Sequence, residues 1–329
     1  MKTLVTGATG FVGSNILRAL VKEGHEVVAL DVAPPNDLLL YYLRNWLGQV
    51  TWIQADITDI DALNKVLSNF DIKNIVHAAA FTNSKGQEGP NYDKRLVDIN
   101  IKGSLNILDL AIKLAVKRFL FVSSGAVYGG LTIGTNELIR EDAILSPNSL
   151  YGITKYVLEM LCNRYRTLYG IESVNVRLGT VYGPMERETA HRAKMSLMHQ
   201  WVGKAIRRET INFNEYSVEQ DLVYVVHIGH AIRFLLDEPS LNYDVYNIGF
   251  GRVSSKIELH SAMCNALSEY KIHFTGIDQE SVVINPTKPS KSTSMDINRL
   301  LDQGYTPQFD IEAGLKVYLL WGKKSGFVH

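Results

Sequence analysis

Tyr151 and Lys155 stand four residues apart in Tyr151-Gly-Ile-Thr-Lys155, shortly after Pro147. On a helix that spacing puts both side chains on one face. A free phenol, with a pKa of about 10, is a poor base at neutral pH, and a neighbouring ammonium favours the phenolate. A third group joins them. Ser124, in Val122-Ser-Ser-Gly-Ala-Val-Tyr-Gly129, follows the apolar run Arg118-Phe-Leu-Phe-Val122. It therefore sits at the C-terminal end of a strand, where an open parallel sheet places its ligands. Its hydroxyl is placed to hydrogen-bond a reacting oxygen and orient it against the phenolate. Together the three side chains predict removal of a proton from a substrate hydroxyl. Taken alone, a tyrosine and a lysine four apart describe a solvated helix face equally well, so the surrounding elements decide.

The first thirteen residues decide it. Gly7, Gly10 and Gly13 fall between the apolar Leu4-Val5 and a helical pattern from Phe11 to Glu23. A glycine pattern gains meaning in that strand-to-helix context. Gly7 allows the tight turn, Gly10 lets backbone approach a pyrophosphate, and Gly13 lets helix pack on strand. The helix start offers free N–H groups and partial positive charge to the phosphates. Thr9, Phe11 and Val12 are the other expected contacts there. The spacing is one residue longer than the commonest form. The next strand, Glu26-Val-Val-Ala-Leu-Asp31, ends in a carboxylate 18 residues after Gly13. An acid there accepts hydrogen bonds from the adenosine ribose and repels a 2′-phosphate. No arginine follows in Val32-Ala33-Pro34-Pro35, which predicts NAD over NADP. Lys155 then holds the nicotinamide ribose, and the positive nicotinamide ring adds to the pull on Tyr151.

The positioning elements alternate. Further strand-like runs are 50–55, 74–77, 118–122 and 172–177, with helical patterns near 59–70, 93–115 and 149–169. Such alternation predicts an α/β fold with a doubly wound parallel sheet of Rossmann type. Beyond Leu178 the rhythm breaks into turns, helices near 193–208, 227–237, 255–270 and 310–321, and short strands near 222–226 and 245–248. We therefore expect a cofactor domain over 1–178, with 222–248 returning to it. The smaller, partly interleaved substrate domain takes 179–221 and 249–329. Leu38–Trp46 and Gln87–Arg95 are the expected surface insertions.

The 329 residues carry 34 basic and 34 acidic side chains, so no net charge draws the chain to nucleic acid or an anionic membrane. No apolar run is long enough to span a bilayer, and with the glycine turn so near Met1 no leader peptide is expected. Cys162 and Cys264 are too few and too far apart for a disulfide framework. They are expected to be buried thiols in a reducing compartment, the cytoplasm. His227 and His230 lie three apart, but no carboxylate cluster completes a metal site, so no metal is expected.

The ordered set of these motifs resembles the extended short-chain dehydrogenases/reductases of the NAD-dependent epimerase/dehydratase family, sugar-nucleotide 4-epimerases among them. The resemblance runs through Thr6–Gly13, Asp31, Asp56-Ile57, His77–Ala80, Asn100, Ser123–Gly129, Tyr151/Lys155 and Arg177–Pro184. It implies that Asp56 and Ile57 contact the adenine and that Ala78, Ala79 and Ala80 line the cofactor groove, with Ser123 beside it. For Asp56, capping a helix before Asp59 is the competing reading. The resemblance further implies that Asn100 supports a helix kink or water relay and that Val181 flanks the nicotinamide. The expected substrate contacts are Thr82, Ser124, Gly125, Thr180, Arg187, Arg192 and Gln220.

Members of this family oxidise a sugar hydroxyl to a ketone. An epimerase returns the hydride to the other face, whereas a dehydratase needs an acid pair directly after the hydroxyl residue. Gly125 and Ala126 stand there and cannot move a proton, so dehydration is disfavoured. Two departures touch the substrate. Thr180 replaces a usual Asn, and Gln220 replaces an Arg that makes a charge-assisted diphosphate contact. Arg187 and Arg192 are the compensating cations, or part of a solvated loop. Three readings follow. They are an NAD-dependent epimerase of a sugar nucleotide or related sugar, a dehydrogenase of a smaller sugar, acid or alcohol that releases NADH, and an idle NAD-binding protein. The intact Ser124, Tyr151 and Lys155 argue against the last. Apolar residues Leu96, Ile99, Leu105, Ile107, Leu108 and Leu110 in 93–115, and Val157, Leu158, Leu161 and Tyr165 in 149–169, predict a homodimer through these two helices.

Overall fold

A computed structural model describes residues 2–82, 93–131, 137–189, 192, 195–212, 221–252, 256–268, 274–275 and 294–326. Three βα units and a fourth strand open the chain. They comprise β1 (Lys2–Thr6), α1 (Phe11–Lys22), β2 (Glu26–Asp31), α2 (Asp37–Tyr42), β3 (Val50–Gln54), α3 (Ile60–Leu67) and β4 (Asn74–His77). A rod follows, made of α4 (Arg95–Val97), a π-helical turn (Asp98–Gly103) and α5 (Ser104–Lys113). Next come β5 (Arg118–Val122), α6 (Leu150–Tyr169) and β6 (Glu172–Leu178). The remainder holds β7 (Thr180–Tyr182), α7 (Leu197–Ile206), β8 (Ile211–Asn212), β9 (Leu222–Tyr224), α8 (Val225–Asp237) and β10 (Val245–Ile248). It ends with α9 (Lys256–Ala266), β11 (Phe274–Thr275), α10 (Asn298–Asp302) and α11 (Ile311–Ser325).

The main sheet has seven strands in the order β3-β2-β1-β4-β5-β6-β10, every neighbour parallel. β5 is buried throughout, and β1 from Thr3 onward, because helices cover both faces. One face packs Ile16, Leu20, Ile228 and Ile232 of α1 and α8. The other packs Leu63, Ile107, Leu110 and Leu158 of α3, α5 and α6. The order reverses between β1 and β4, which opens a crevice at their C-terminal ends. A separate apolar cluster joins α7, α9 and α11 around Trp201, Met263 and Leu315.

Four expectations need correction. Of residues 222–248, β10 joins the main sheet, but β9 pairs with β7 in a two-stranded sheet of its own, Val181 opposite Val223. Leu38–Trp46 is no mere surface insertion. Asn36 caps α2 through the Leu39 amide, and Leu39, Tyr42 and Leu43 are buried. The Tyr42 hydroxyl donates to Asn15 Oδ1 at 2.6 Å, Arg18 lies over its ring, and Trp321 of α11 meets it edge-on. The part of Gln87–Arg95 before 93 lies outside the described residues.

The apolar surplus expected on 93–115 is largely spent within the subunit, since Leu96, Ile107, Leu108 and Leu110 are buried there, as is Leu158 of α6. The exposed apolar residues of α6 are instead Ile153, Met160, Leu168 and Tyr169. Finally, Cys162 is buried on α6, but Cys264 on α9 is only half-buried, its Sγ 3.3 Å from His260 Nε2. Among the described residues, no helix is long and apolar enough to cross a membrane, and no three metal-ligating side chains come together.

Candidate active site

The crevice is a cavity of about 1190 Å³. At one end Gly7 adopts a left-handed φ of +67°, and its carbonyl leaves no room at Gly13, where a Cβ would stand 2.0 Å from that oxygen. The turn is thereby held tight against α1. The α1 cap is Gly10, which offers no side chain to the first-turn amides. Gly7, Thr9, Gly10, Phe11, Val12 and Gly13 all line the cavity. Asp31 ends β2 on its wall, one carboxylate oxygen accepting from the Thr9 amide at 3.0 Å and the other from Ala33 at 3.2 Å. A small-residue cradle at a helix start with a carboxylate beside it fits the pyrophosphate and ribose of a dinucleotide.

Asp56 and Ile57 line the same end, and Ala78, Ala79 and Ala80 its floor. Asp59, not Asp56, caps α3 through the Ala62 amide, while Asp56 accepts from Thr58. That removes the helix-cap reading of Asp56. Asn100 stays out of the cavity lining. It sits in the π-helical turn, accepts from the Phe81 amide at 2.7 Å and donates to the Phe81 carbonyl and Thr154 Oγ1. It ties the wall after β4 to the helix that carries Tyr151.

Ser124, Tyr151 and Lys155 converge on the cavity from two elements. Ser149 caps α6 by accepting from the Gly152 amide at 3.1 Å, so Tyr151 lies in the first turn and Lys155 one turn on. Ser124 follows β5 and accepts from the Ala126 amide. Burial pushes the Tyr151 phenol up to about 12, against the opposing pulls of its hydrogen bond with Ser124 and the charge of Arg192. The expected depression by Lys155 is therefore not what the protein itself sets. The Lys155 ammonium donates to the Val122 carbonyl at 2.8 Å and lies 5.8 Å from the Tyr151 ring centre. Burial brings Lys155 down to about 7, while Glu159 pulls it upward.

On the open side stand Thr82, Thr180, Val181, Arg187 and Arg192. Arg187 is turned toward the cofactor end, its Nη2 donating to the Thr9 carbonyl at 2.9 Å and Asp31 the charge that acts on it. Arg192 lies over the Phe11 ring and pairs with the fully buried Glu186. Gly125 lies outside the cavity lining. A side chain there would press on the Leu178 carbonyl at 3.2 Å and meet Met295 Sδ at 3.6 Å. Gln220 is outside the described residues. Sequence reasoning missed Glu186, Ser196 and Gln200. Ser196 had a legible signal, since it caps α7 by accepting from the His199 amide, while its hydroxyl donates to Glu186 at 2.6 Å. Nothing local marks Glu186.

Residues 3–249 match the model of the NAD dependent epimerase/dehydratase family. The chain belongs to that family. The UDP-glucuronate 4-epimerase of Thermodesulfobacterium geofontis is 30% identical over 334 residues, covering 98% of this chain and 96% of its own. The UDP-glucose 4-epimerase of Mycolicibacterium smegmatis is 29% identical over 269 residues, 81% of this chain and 83% of that one. Among solved structures, the UDP-glucose 4-epimerase of Thermotoga maritima with UDP-glucose superposes with a TM-score of 0.77 at 24% identity, covering 99% of both chains. The UDP-glucuronic acid 4-epimerase of Bacillus cereus, in complex with UDP-glucuronic acid and NAD, gives 0.75 at 24% identity, over 98% of this chain and 99% of that one. At that identity the superpositions speak for the fold alone. The Thermodesulfobacterium geofontis relative aligns over 98% of the chain, which takes in the helices beyond the main sheet.

Proposed function

We propose that the chain is an NAD-dependent epimerase that inverts a hydroxyl-bearing carbon of a sugar nucleotide through a transient ketone. The observation that carries this is one cavity holding both the glycine turn with Asp31 and the Ser124/Tyr151/Lys155 group. Gly7, Gly10, Gly13, Asp31, Asp56 and Ile57 would hold the adenosine and pyrophosphate, and Lys155 the nicotinamide ribose. Bound NAD supplies the hydride acceptor and donor and a positive ring beside the phenol. Tyr151 takes the proton of the substrate hydroxyl, and Ser124 holds that oxygen in line. The phenol standing near 12 in the protein alone fits a base that becomes effective only when cofactor charge is present. Gly125 and Ala126, where a dehydratase carries an acid pair, have no group that moves a proton, and a side chain at Gly125 would press on the Leu178 carbonyl, which supports epimerisation over loss of water.

The sugar-nucleotide class comes from the relatives, which act on UDP-glucose and UDP-glucuronate by name. Within the fold, the cofactor half takes residues 1–178 and β10, and the segments after Leu178 form the substrate side. The exposed apolar stripe of α6 is the surface on which we place a homodimer. The two unpaired thiols suit a reducing cytoplasm.

Incubation of the purified protein with UDP-glucose and with UDP-glucuronate, followed by proton NMR of the sugar and absorbance of NADH, tests the reading. Inversion at one carbon without net NADH supports it. Stoichiometric NADH release would instead establish the dehydrogenase. No change in either sugar nucleotide would remove these substrates from the reading.

A further inference from the structure

Below the reacting groups lies a buried charge pair that the chemistry above does not use. Glu159 follows Lys155 by four residues on α6, so Tyr151, Lys155 and Glu159 form one stripe. The Glu159 carboxylate accepts from Arg177 Nε at 3.0 Å and Nη2 at 2.7 Å, with both side chains about 5% exposed or less. Its Oε1 also accepts from Ser123 Oγ at 2.6 Å, and Ser123 is the residue before Ser124. Arg177 is held in turn by the Tyr128 hydroxyl and the Glu141 carbonyl. One carboxylate thus touches the strand end that carries Ser124 and lies a turn below Lys155.

We infer that Glu159 is a positioning residue whose buried negative charge favours the protonated Lys155 ammonium and whose bond to Ser123 fixes the Ser124 strand end. The groups around Lys155 leave this task to Glu159. From α6 itself come Tyr151 and the neutral Cys162 thiol, which burial raises far above its usual range. From β4 comes His77, bonded to Thr6 and Ser104 at 2.7 Å each and held neutral with a pKa of about 3 by burial, then by Lys155. From β5 come the Phe121 ring, 4.7 Å from the ammonium, and the Val122 carbonyl. From β6 comes Arg177, whose charge Glu159 already meets, and from the segment before α7 comes Arg192, which acts on Tyr151. Glu159 is the one carboxylate among them. Burial, opposed by Glu159, leaves Lys155 at about 7, so its charge state is poised where loss of a nearby anion matters most.

This inference rests on the proposed role of Lys155, and its test is read without substrate. In protein carrying lysine labelled with carbon-13 at Cε, the Lys155 resonance is assigned by its loss in Lys155→Met and titrated by NMR. Glu159→Gln should move that titration about one pH unit or more downward, and Glu159→Asp, which keeps the charge, should restore it. An unmoved titration in Glu159→Gln overturns the inference. If Glu159→Gln leaves Arg177 too costly to bury and does not fold, Glu159→Gln/Arg177→Met removes both charges. The Lys155 titration should then still move downward but by less, because loss of the Arg177 cation offsets part of the lost anion. An unmoved or raised titration there overturns the inference. Where UDP-glucose or UDP-glucuronate is turned over, the alkaline limb of kcat/KM should shift with the lysine. A lysine that shifts in a protein inactive on both leaves the Glu159 inference standing and removes only the substrate reading. A merely structural role would lower activity evenly across pH and leave the lysine where it was.

Discussion

Arg187 and Thr9 lie 178 residues apart in the chain, yet the guanidinium Nη2 donates a 2.9 Å hydrogen bond to the Thr9 carbonyl. The residue after the Gly-Pro turn thereby rests on the glycine turn. This cation and the glycine turn line the same end of the cavity. Arg187→Ala should weaken NAD on the order of tenfold, the worth of one charge-assisted contact. Calorimetric titration of the cofactor-free protein measures it, and unchanged affinity would show that the arginine serves the loop alone.

Asp31 should govern the choice of cofactor. A 2′-phosphate held about 4 Å from its carboxylate is repelled by about 1 kcal/mol or more, and lost ribose hydrogen bonds add about 1.5–3 kcal/mol. The wild type should therefore prefer NAD by at least about a hundredfold. Asp31→Ala should narrow that ratio. Equal affinity for both cofactors in the wild type would mean that the carboxylate is occupied by Thr9 and Ala33 alone.

Tyr151→Phe keeps the ring and removes the proton acceptor. It should fold and bind NAD as before, with turnover down by about 10²–10⁴. Activity within a few-fold of wild type would take the base away from Tyr151.

Lys155 should weaken the cofactor-free fold. Its pKa is drawn from 10.5 to about 7 by burial, so below about 7 the ammonium is present in both folded and unfolded chains and the folded state bears the full penalty. As pH rises from 7 toward 10.5 the folded chain releases the proton first, and the penalty disappears. Lys155→Met should accordingly stabilise the apoprotein by on the order of a few kcal/mol at pH 7, with the gain shrinking toward pH 10. Thermal unfolding at the two pH values reads both. A gain that is constant with pH would point to packing alone.

The exposed stripe of α6 should be a subunit contact. Ile153, Met160 and Leu168 are 43%, 57% and 52% exposed, and their spacing keeps them on one face. Met160→Glu should yield monomers by sedimentation at a concentration where the wild type is dimeric. A wild type that already sediments as a monomer would refute the dimer.

What was legible in the chain was local. The glycine turn, the acid ending β2 and the Tyr151/Lys155 spacing each declare themselves within a few residues, because a turn or one helical face imposes them. Where partners come from afar, the reading failed. Leu39, Tyr42 and Leu43 form too short an apolar pattern to announce a helix, and what makes α2 worth forming is Asn15, Arg18 and Trp321. β9 resembles any buried strand, and only its neighbour β7 excludes it from the main sheet. Leu96, Ile107 and Leu110 promised a contact between subunits, but the sheet and α6 already cover them. The direction of Arg187 could not be read either, since its acceptor is a backbone carbonyl in the first turn of the fold.

A second bond accompanies the one from Arg187: Asn15 Nδ2, on the first cofactor-side helix, donates to the Pro184 carbonyl at 2.9 Å. The segment after β7 is thus stitched at two points to the glycine turn and the first helix, which line the dinucleotide end of the cavity. Such stitching makes the two ligands thermodynamic partners. Whatever factor NAD contributes to the affinity for the sugar nucleotide, the sugar nucleotide must return to NAD. Where that factor is favourable, the cofactor is held most firmly while the sugar nucleotide is bound.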